Sequence, residues 1–166
     1  ENVLYLFEDS GINKIHGQYV YTYCSNFNVP QGGEPIHGFE SGEIVAMISD
    51  NPKGPFRTYG GILKNPGHFF SYGGNNHHCL FEFKGEWYIT YHTRILEEAL
   101  GICNGYRSVS IDKVSFDEDG NILPIKATRE GVKHLKRVNP YSFVLASTMA
   151  NQNGTNTRPY GEESEE

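Results

Sequence analysis

Apolar and polar residues alternate over several short stretches of the chain, and a period of two is typical of strands with one buried face. Near the start, the apolar residues 4–7 lead to Glu8, a short link follows, and aromatic residues alternate with others over 19–23 after a turn at Gly17. This pattern predicts a β-hairpin that carries the Glu8 carboxyl group at the end of its first strand.

A second hairpin is predicted over residues 79–91, with its turn at 84–86. Superposing Gly17 on Gly85 aligns Tyr19 with Trp87, Tyr21 with Ile89, and Tyr23 with Tyr91. The offset is 68 residues (85 minus 17), which exceeds the roughly 40 to 50 residues of compact propeller repeats. We favour a repeated sheet unit with loop insertions over a chance similarity between two hairpins.

The rest of the chain predicts further strands and turns. These are a strand at 42–49 with a turn at 50–56, a strand at 107–116, a turn at 117–121 and a strand at 122–125. Strict alternation over 107–116 predicts that one face of this strand is buried. Residues 96–100 suit either one helical turn or an excursion between strands, and residues 28–42 and 65–76 are typical of loops.

The composition suits a single all-β domain of many short strands, because the 166 residues include 11 Tyr, 10 Phe and 19 Gly. A net charge of -6 gives no electrostatic support to nucleic-acid binding, and no apolar run is long enough to span a bilayer. The three cysteines lack a C-x-x-C spacing and indicate free thiols. The chain begins with Glu1 and shows no signal peptide, which leaves both a secreted and a cytoplasmic location open.

Glu8 is the first candidate for chemistry. Four apolar residues precede it, and an apolar environment favours the protonated form of a carboxyl group, which lets it donate a proton. A solvated carboxylate at the end of a strand is the alternative interpretation. Because neighbouring residues of a strand point to opposite faces, Asp9 is expected to point away from Glu8.

A set of short motifs runs in order through about residues 4 to 126. They are Phe7-Glu8 with Lys14, Gly17, Tyr19 and Tyr23, then Asp50-x-Pro52-x-Gly54-Pro55-Phe56, Gly74-Asn75-Asn76-His77-His78, Phe83-Lys84-Gly85-Glu86-Trp87-Tyr88, Tyr91-His92, Gly105-Tyr106-Arg107-Ser108-Val109 and Asp119-Gly120. Together they resemble glycoside hydrolase family 43, whose five-bladed β-propellers cleave arabinofuranosyl and xylosyl linkages in plant cell walls. The resemblance is greatest to the arabinoxylan arabinofuranohydrolases, and it implies that residues 1–138 are the C-terminal blades of such a propeller.

The resemblance implies an inverting enzyme that releases α-L-arabinofuranosyl side chains from arabinoxylan, with Glu8 as the general acid. In the family, the general base and the Asp that tunes the acid come from motifs that would precede Glu1. Inversion needs two carboxyl groups roughly 6.5 to 9.5 Å apart, and Glu8 supplies only one. A complementary N-terminal polypeptide segment is therefore expected as a partner, and this chain alone is expected to be inactive.

Two alternatives stay open for the activity. One is a β-xylosidase or an arabinanase on the same scaffold, because the shape of the pocket selects the substrate. The other is a non-catalytic propeller whose aromatic residues bind plant cell-wall polysaccharide without cleaving it.

The resemblance also implies a metal ion. His77 matches a histidine at the propeller axis that binds a central ion, commonly calcium. Calcium prefers a shell of oxygen ligands, so a hydrogen-bonded His77 without a metal is the alternative. His78 and His92 are expected to be packed, hydrogen-bonded histidines.

His77 and three more residues are candidates for binding the sugar. Arg107 matches an arginine that reaches into the substrate pocket, and its planar, permanently charged group suits a carboxylate or sugar hydroxyls. A structural ion pair is its alternative role. Phe70 and Tyr72 precede the histidine motif and are predicted to stack on a sugar, with core packing as the alternative.

The end of the chain has a separate resemblance. Residues 139–166 contain Asn139-Pro140-Tyr141 and the stretch 146–154, and they are similar to the linker and first strand of a family 6 carbohydrate-binding module. Only this opening is present, so the segment is not expected to form a working module.

Overall fold

The computed structural model of this protein describes residues 3–30, 33–74 and 76–133. These residues form two antiparallel sheets whose strands lie side by side in chain order. The first sheet contains β1 (Leu6–Ile15), β2 (Gln18–Ser25), β3 (Ile44–Ser49) and β4 (Arg57–Leu63). The second contains β5 (His78–Phe83), β6 (Glu86–Thr93) and β7 (Ser108–Lys113). A 3₁₀ turn (Pro66–His68) lies between β4 and β5, and helix α1 (Ile95–Leu100) lies between β6 and β7. The prediction of an all-β fold is confirmed.

Other predictions reach beyond the described residues. The boundary at residue 138 and the segment 139–166, predicted to begin a carbohydrate-binding module, both lie outside them. Within residues 3–30, 33–74 and 76–133, no helix has the length and apolar character needed to cross a membrane.

The two hairpins share one turn geometry. The β1–β2 turn has positive φ angles at His16 (47°) and Gly17 (88°), and the β5–β6 turn has them at Lys84 (54°) and Gly85 (78°). Positive φ at both central residues is the signature of a two-residue hairpin turn that matches the twist of the strands. A third antiparallel strand then pairs with the second strand of each hairpin. The repeat seen in the sequence is therefore a repeat of local structure.

β1 is longer and less regular than predicted. It continues past Glu8 as one strand, so Glu8 is an interior residue and not the last one. Its pairing with β2 joins Leu6 to Ser25, Glu8 to Cys24, and Ser10 to Tyr23. Phe7 and Asp9 are thus extra residues in two consecutive β-bulges, and Asp9 has a φ of 56°. Bulges bend a strand and redirect its side chains.

β3 is buried along its whole length, because both faces of the first sheet are covered. One cluster of buried residues joins the two sheets and includes Ile44, Ala46, Ile48, Leu80 and Ile89. The other covers the opposite face of the first sheet and includes Tyr23, Phe27, Phe39, Val45 and Met47. Alternate residues of β3 thus enter different clusters, as the period of a strand requires. The shared cluster packs the two sheets against each other.

Several predicted elements differ from the structure. β4 was not predicted, and residues 122–125 make only isolated bridges, between Phe116 and Ile122 and between Leu63 and Ile125. In β7 the apolar Val109 is 81% exposed whereas Asp112 is buried. Asp112 is stable there because its carboxylate accepts hydrogen bonds from the Tyr91 hydroxyl (2.6 Å) and the Thr128 hydroxyl (2.6 Å).

Candidate active site

The fold brings Glu8 and His77 together from the two sheets. Glu8 lies in the bulged part of β1, and His77 lies immediately before β5. The Nε2 atom of His77 is 2.6 Å from Oε1 of Glu8, which is a hydrogen-bond distance. The two side chains are 39% and 35% exposed, so the pair is accessible to a ligand from solvent.

Asp9 has a different role from its neighbour. Its Oδ2 atom accepts a hydrogen bond from the backbone N–H of His78 at 2.5 Å. The same oxygen is 3.1 Å from Nδ1 of the His78 ring, although the ring nitrogen is not aligned for a hydrogen bond. The expectation that Asp9 points away from Glu8 is wrong, because the bulges direct both carboxyl groups to the His77–His78 segment.

His78 is a buried structural residue, as expected. Its side chain is 1% exposed, and its Nε2 atom is 2.8 Å from the Thr22 hydroxyl. Burial lowers the pKa of His78, and the nearby Asp9 carboxylate only partly opposes this effect. The neutral imidazole therefore connects β5 to β2, while Asp9 connects the start of β5 to β1.

His92, which was expected to be a packed, hydrogen-bonded histidine, also belongs to this group. Its ring packs edge-on against the His77 ring, with centroids 5.4 Å apart. Its Nε2 atom is buried and has no hydrogen-bond partner among the described residues. Burial, followed by the positive charge of Arg107, lowers the pKa of His92 to about 4. The Tyr91-His92 motif at the end of an alternating strand was the only sequence signal for its position.

Arg107 belongs to the same region. It lies directly before β7, and its charge acts on the His92 ring. Glu8 and Asp9 also act electrostatically on that ring. His77 thus packs against the His92 ring, and the charges of Glu8 and Arg107 act on it.

Phe70 and Tyr72 make ring contacts elsewhere. The guanidinium carbon of Arg129 lies 5.2 Å from the Phe70 ring centroid, and that of Arg94 lies 4.9 Å from the Tyr72 ring centroid. Phe70 also packs against the core cluster that joins the sheets. Both rings therefore have structural partners, and their stacking on a sugar stays a prediction.

The described residues do not form a metal site. No group of three or more His, Cys, Asp or Glu side chains in these ranges is arranged to hold an ion. The Nε2 atom of His77 faces the Glu8 carboxylate, whereas calcium prefers six to eight oxygen ligands. An ion at His77 would need ligands from outside the described residues, so calcium binding stays a prediction.

A cavity of about 840 Å³ opens beside Phe7. Its polar lining includes Ser25, Asn26, Asn28, Glu40, Asn65 and His68. Ser25 pairs with Leu6 and Cys24 pairs with Glu8, so the cavity lies at the same end of the first sheet as the Glu8 carboxyl group. Glu8 itself does not line it. The cavity adjoins the site without containing its acidic residue.

No protein-family model matches the chain. The chain is 47% identical over 156 residues to an arabinoxylan arabinofuranohydrolase of Paenibacillus polymyxa, an alignment that covers 93% of this chain and 24% of that protein. The chain therefore spans about a quarter of the length of this relative.

Two solved structures have a similar fold. The first is a glycoside hydrolase family 43 arabinoxylan arabinofuranohydrolase from Bacillus subtilis in complex with cellotetraose, with a TM-score of 0.71, 45% identity, and coverage of 83% of this chain and 28% of that chain. The second is a calcium-free family 43 β-xylosidase/α-arabinofuranosidase from a compost metagenome in complex with xylotriose. It has a TM-score of 0.54, 29% identity, and coverage of 72% of this chain and 30% of that chain.

Proposed function

We propose that this chain, a homologue of one segment of the family 43 arabinoxylan arabinofuranohydrolases, is part of an inverting glycoside hydrolase that releases α-L-arabinofuranosyl side chains from arabinoxylan. The observation that carries the proposal is the contact between Glu8 and His77, in which a partly exposed carboxyl group is oriented by a histidine. The identity to arabinoxylan arabinofuranohydrolases supports the choice of substrate.

Glu8 is the general acid in this proposal. It donates its proton to the glycosidic oxygen as the bond from that oxygen to the anomeric carbon of arabinose breaks. A water molecule, deprotonated by a carboxylate outside this chain, attacks the anomeric carbon from the opposite face. The contact with His77 orients the Glu8 carboxyl group through its Oε1 atom, and such positioning contributes to general acid catalysis.

Arg107 binds sugar hydroxyls near Glu8 in the same proposal. Its position directly before β7 and its effect on His92 support this assignment. Phe70 and Tyr72 are retained as candidates for stacking on the polysaccharide beyond the arabinose. Calcium forms no part of the proposed mechanism, because the described residues do not fit such an ion.

The two sheets are the C-terminal blades of a five-bladed propeller in this proposal, and an N-terminal polypeptide segment supplies the general base. Their repeated strand order supports the idea of blades. β7 pairs with only one strand among the described residues, and Val109 on it is 81% exposed. An unpaired strand edge and exposed apolar side chains favour association with further protein surface.

A xylosidase activity is the second candidate. The compost-metagenome structure with a similar fold is described as a β-xylosidase/α-arabinofuranosidase and contains xylotriose. Glu8 can act as the acid in either reaction, so the rest of the pocket selects whether arabinose or xylose is released.

The test uses the complete enzyme that contains this segment. Arabinose and xylose released from arabinoxylan and from xylo-oligosaccharides are measured, alongside binding titrations with the same sugars. Arabinose from arabinoxylan is the expected product. Xylose from xylo-oligosaccharides without arabinose would identify a xylosidase, and binding without either product would identify a non-catalytic propeller.

A further inference from the structure

Helix α1 carries a buried carboxylate outside the Glu8 group. The Glu97 side chain is 1% exposed. Its Oε2 atom accepts a hydrogen bond from Nε of Arg94 at 2.6 Å. Its Oε1 atom accepts two backbone hydrogen bonds, from the N–H groups of Asn104 and Tyr106, each at 2.8 Å.

These contacts suit an ionised Glu97. Burial opposes the charge, but the N–H groups of Tyr106 and Asn104 and the Arg94 guanidinium together hold the pKa of Glu97 below its usual range. Each partner of the carboxylate is a donor. A buried carboxylate with this many donors is satisfied, whereas removing it would leave those donors without an acceptor.

The chain reverses after α1 and passes back over Glu97. The helix ends at Gly101, whose φ of 67° is the left-handed conformation typical of a helix end. The Arg94 side chain also donates to Sγ of Cys103 at 3.2 Å. Backbone hydrogen bonds hold Gly101 and Ile102 to the end of α1, and the Glu97 and Arg94 side chains hold the residues from Cys103 to Tyr106.

This loop leads directly to Arg107. The Tyr106 side chain is 65% exposed, so packing of that ring does not hold the loop in place. The hydrogen bond from the Tyr106 N–H to Glu97 acts on the residue next to Arg107. The Glu97 carboxylate therefore holds the backbone of the residue that precedes Arg107.

The neighbouring Glu98 provides a contrast. Its carboxylate accepts hydrogen bonds from the Ser71 hydroxyl at 2.7 Å and from Nη2 of Arg129 at 2.5 Å. These partners lie in other segments of the chain. The carboxylates of two adjacent glutamates of α1 thus bind different segments, and of these two carboxylates it is that of Glu97 that accepts hydrogen bonds from the loop before Arg107.

We propose that Glu97 is a positioning residue that sets the place of the Arg107 guanidinium in the substrate pocket. This inference rests on the proposed function, in which Arg107 binds the sugar. Glu97 does not touch the substrate. It acts through the backbone of Asn104 and Tyr106. Loss of its carboxylate weakens the binding of arabinoxylan, whereas the general acid Glu8 is unchanged.

A double-mutant cycle in the complete enzyme tests the proposal. Glu97→Gln keeps the shape, but its NH₂ group must face a donor in either orientation, because every partner of Glu97 donates. We expect this variant to raise KM for arabinoxylan about tenfold, with kcat changed about twofold or less. In an Arg107→Ala background the same change is expected to raise KM by less than about twofold.

Glu98→Gln is the matched control, and its effect on KM is expected to be the same with and without Arg107→Ala. Equal effects of Glu97→Gln in both backgrounds would overturn the inference, because they would show a role independent of Arg107. If Glu97→Gln does not fold, Glu97→Asp, which shortens the side chain by one methylene, is measured in the same cycle with the same criterion. If the enzyme releases arabinose but the effects of Glu97→Gln and Arg107→Ala on KM are additive, this inference alone is overturned. If the unmodified enzyme releases no arabinose, the proposed function is overturned as well.

Discussion

The first two strands of each sheet are joined by the same type of hairpin turn. The sheets differ at the end of the first strand that is farther from this turn. In the second sheet, β5 and β6 pair without interruption from His78–Tyr91 to Phe83–Glu86. In the first, β1 contains two bulges next to Glu8. The regular parts supply the framework, and the irregular part of one sheet places its carboxyl groups against the start of the other.

The bulges give two adjacent carboxyl groups different environments. Glu8 contacts a histidine that is about one third exposed, whereas Asp9 contacts a histidine that is almost completely buried. A partly exposed pair contributes little to stability, but an acceptor for an otherwise unsatisfied N–H group contributes more. The comparison therefore indicates structural support by Asp9 and is consistent with the proposed role of Glu8 as the acid.

The largest predicted effect on stability follows from removing Asp9. Asp9→Ala takes the acceptor from the His78 N–H group and the carboxylate from the side of its buried ring. We expect the complete enzyme to lose about 2 kcal/mol of unfolding free energy. Denaturant unfolding measures this, and Glu8→Gln is the comparison, with an expected loss below about 1 kcal/mol. Equal losses would remove the distinction between the two carboxyl groups.

The shared turns predict a smaller, matched pair of effects. Gly17→Ala and Gly85→Ala each place a Cβ atom in a left-handed conformation, which costs about 1 to 2 kcal/mol. The two losses are expected to agree, because the turns have the same geometry. Gly11→Ala is the control. Its added Cβ would meet only the Thr22 hydroxyl at 3.9 Å, and its φ is not in that region. Thermal unfolding that shows one turn to be insensitive would contradict the structural repeat.

The smallest effect concerns a buried carboxyl group of the first sheet, Glu43, beside β3. Burial raises its pKa above the ordinary 4.5, and the N–H of Glu40 only partly opposes this. The folded protein thus holds a proton that the unfolded chain has lost between pH 4.5 and the raised pKa. The stabilisation that this proton gives the folded protein is fully present below pH 4.5, and it is lost as the pH rises through the pKa of Glu43 in the folded state. Glu43→Gln should weaken this pH dependence by about 1 kcal/mol or less, as unfolding at pH 4.5 and 7 would show.

Local patterns predicted the regular elements well. Alternating aromatics and glycine turns located both hairpins, because backbone sterics and a single buried face act over a few residues. β4 was missed because Gly60 and Gly61 interrupt its apolar pattern. The reason for one glycine is visible only in three dimensions: a Cβ atom at Gly61 would lie 2.8 Å from Oε1 of the buried Glu43.

The site was predicted in part. Glu8 was selected from its apolar neighbours and then, with His77 and Arg107, from the family resemblance. The structure joins Glu8 to His77, and the charge of Arg107 acts on the adjacent His92. The redirection of Asp9 by a bulge was not predictable from alternation, which assumes a regular strand. His92 and Glu97 were missed as site residues, because their contacts join segments that are distant in the chain or follow from a loop reversal.

The most direct test of the central claim is the rate of Glu8→Gln in the complete enzyme on two substrates. A general acid matters most when the leaving group is poor, so hydrolysis of arabinoxylan should fall by about 10²- to 10⁴-fold. Hydrolysis of an aryl arabinofuranoside with an acidic leaving group should fall by less than about tenfold. Glu86→Gln, which breaks a surface pair with Lys113, is the control and should retain both rates. An equal loss on the two substrates, or no loss on arabinoxylan, would contradict the assignment of Glu8 as the proton donor.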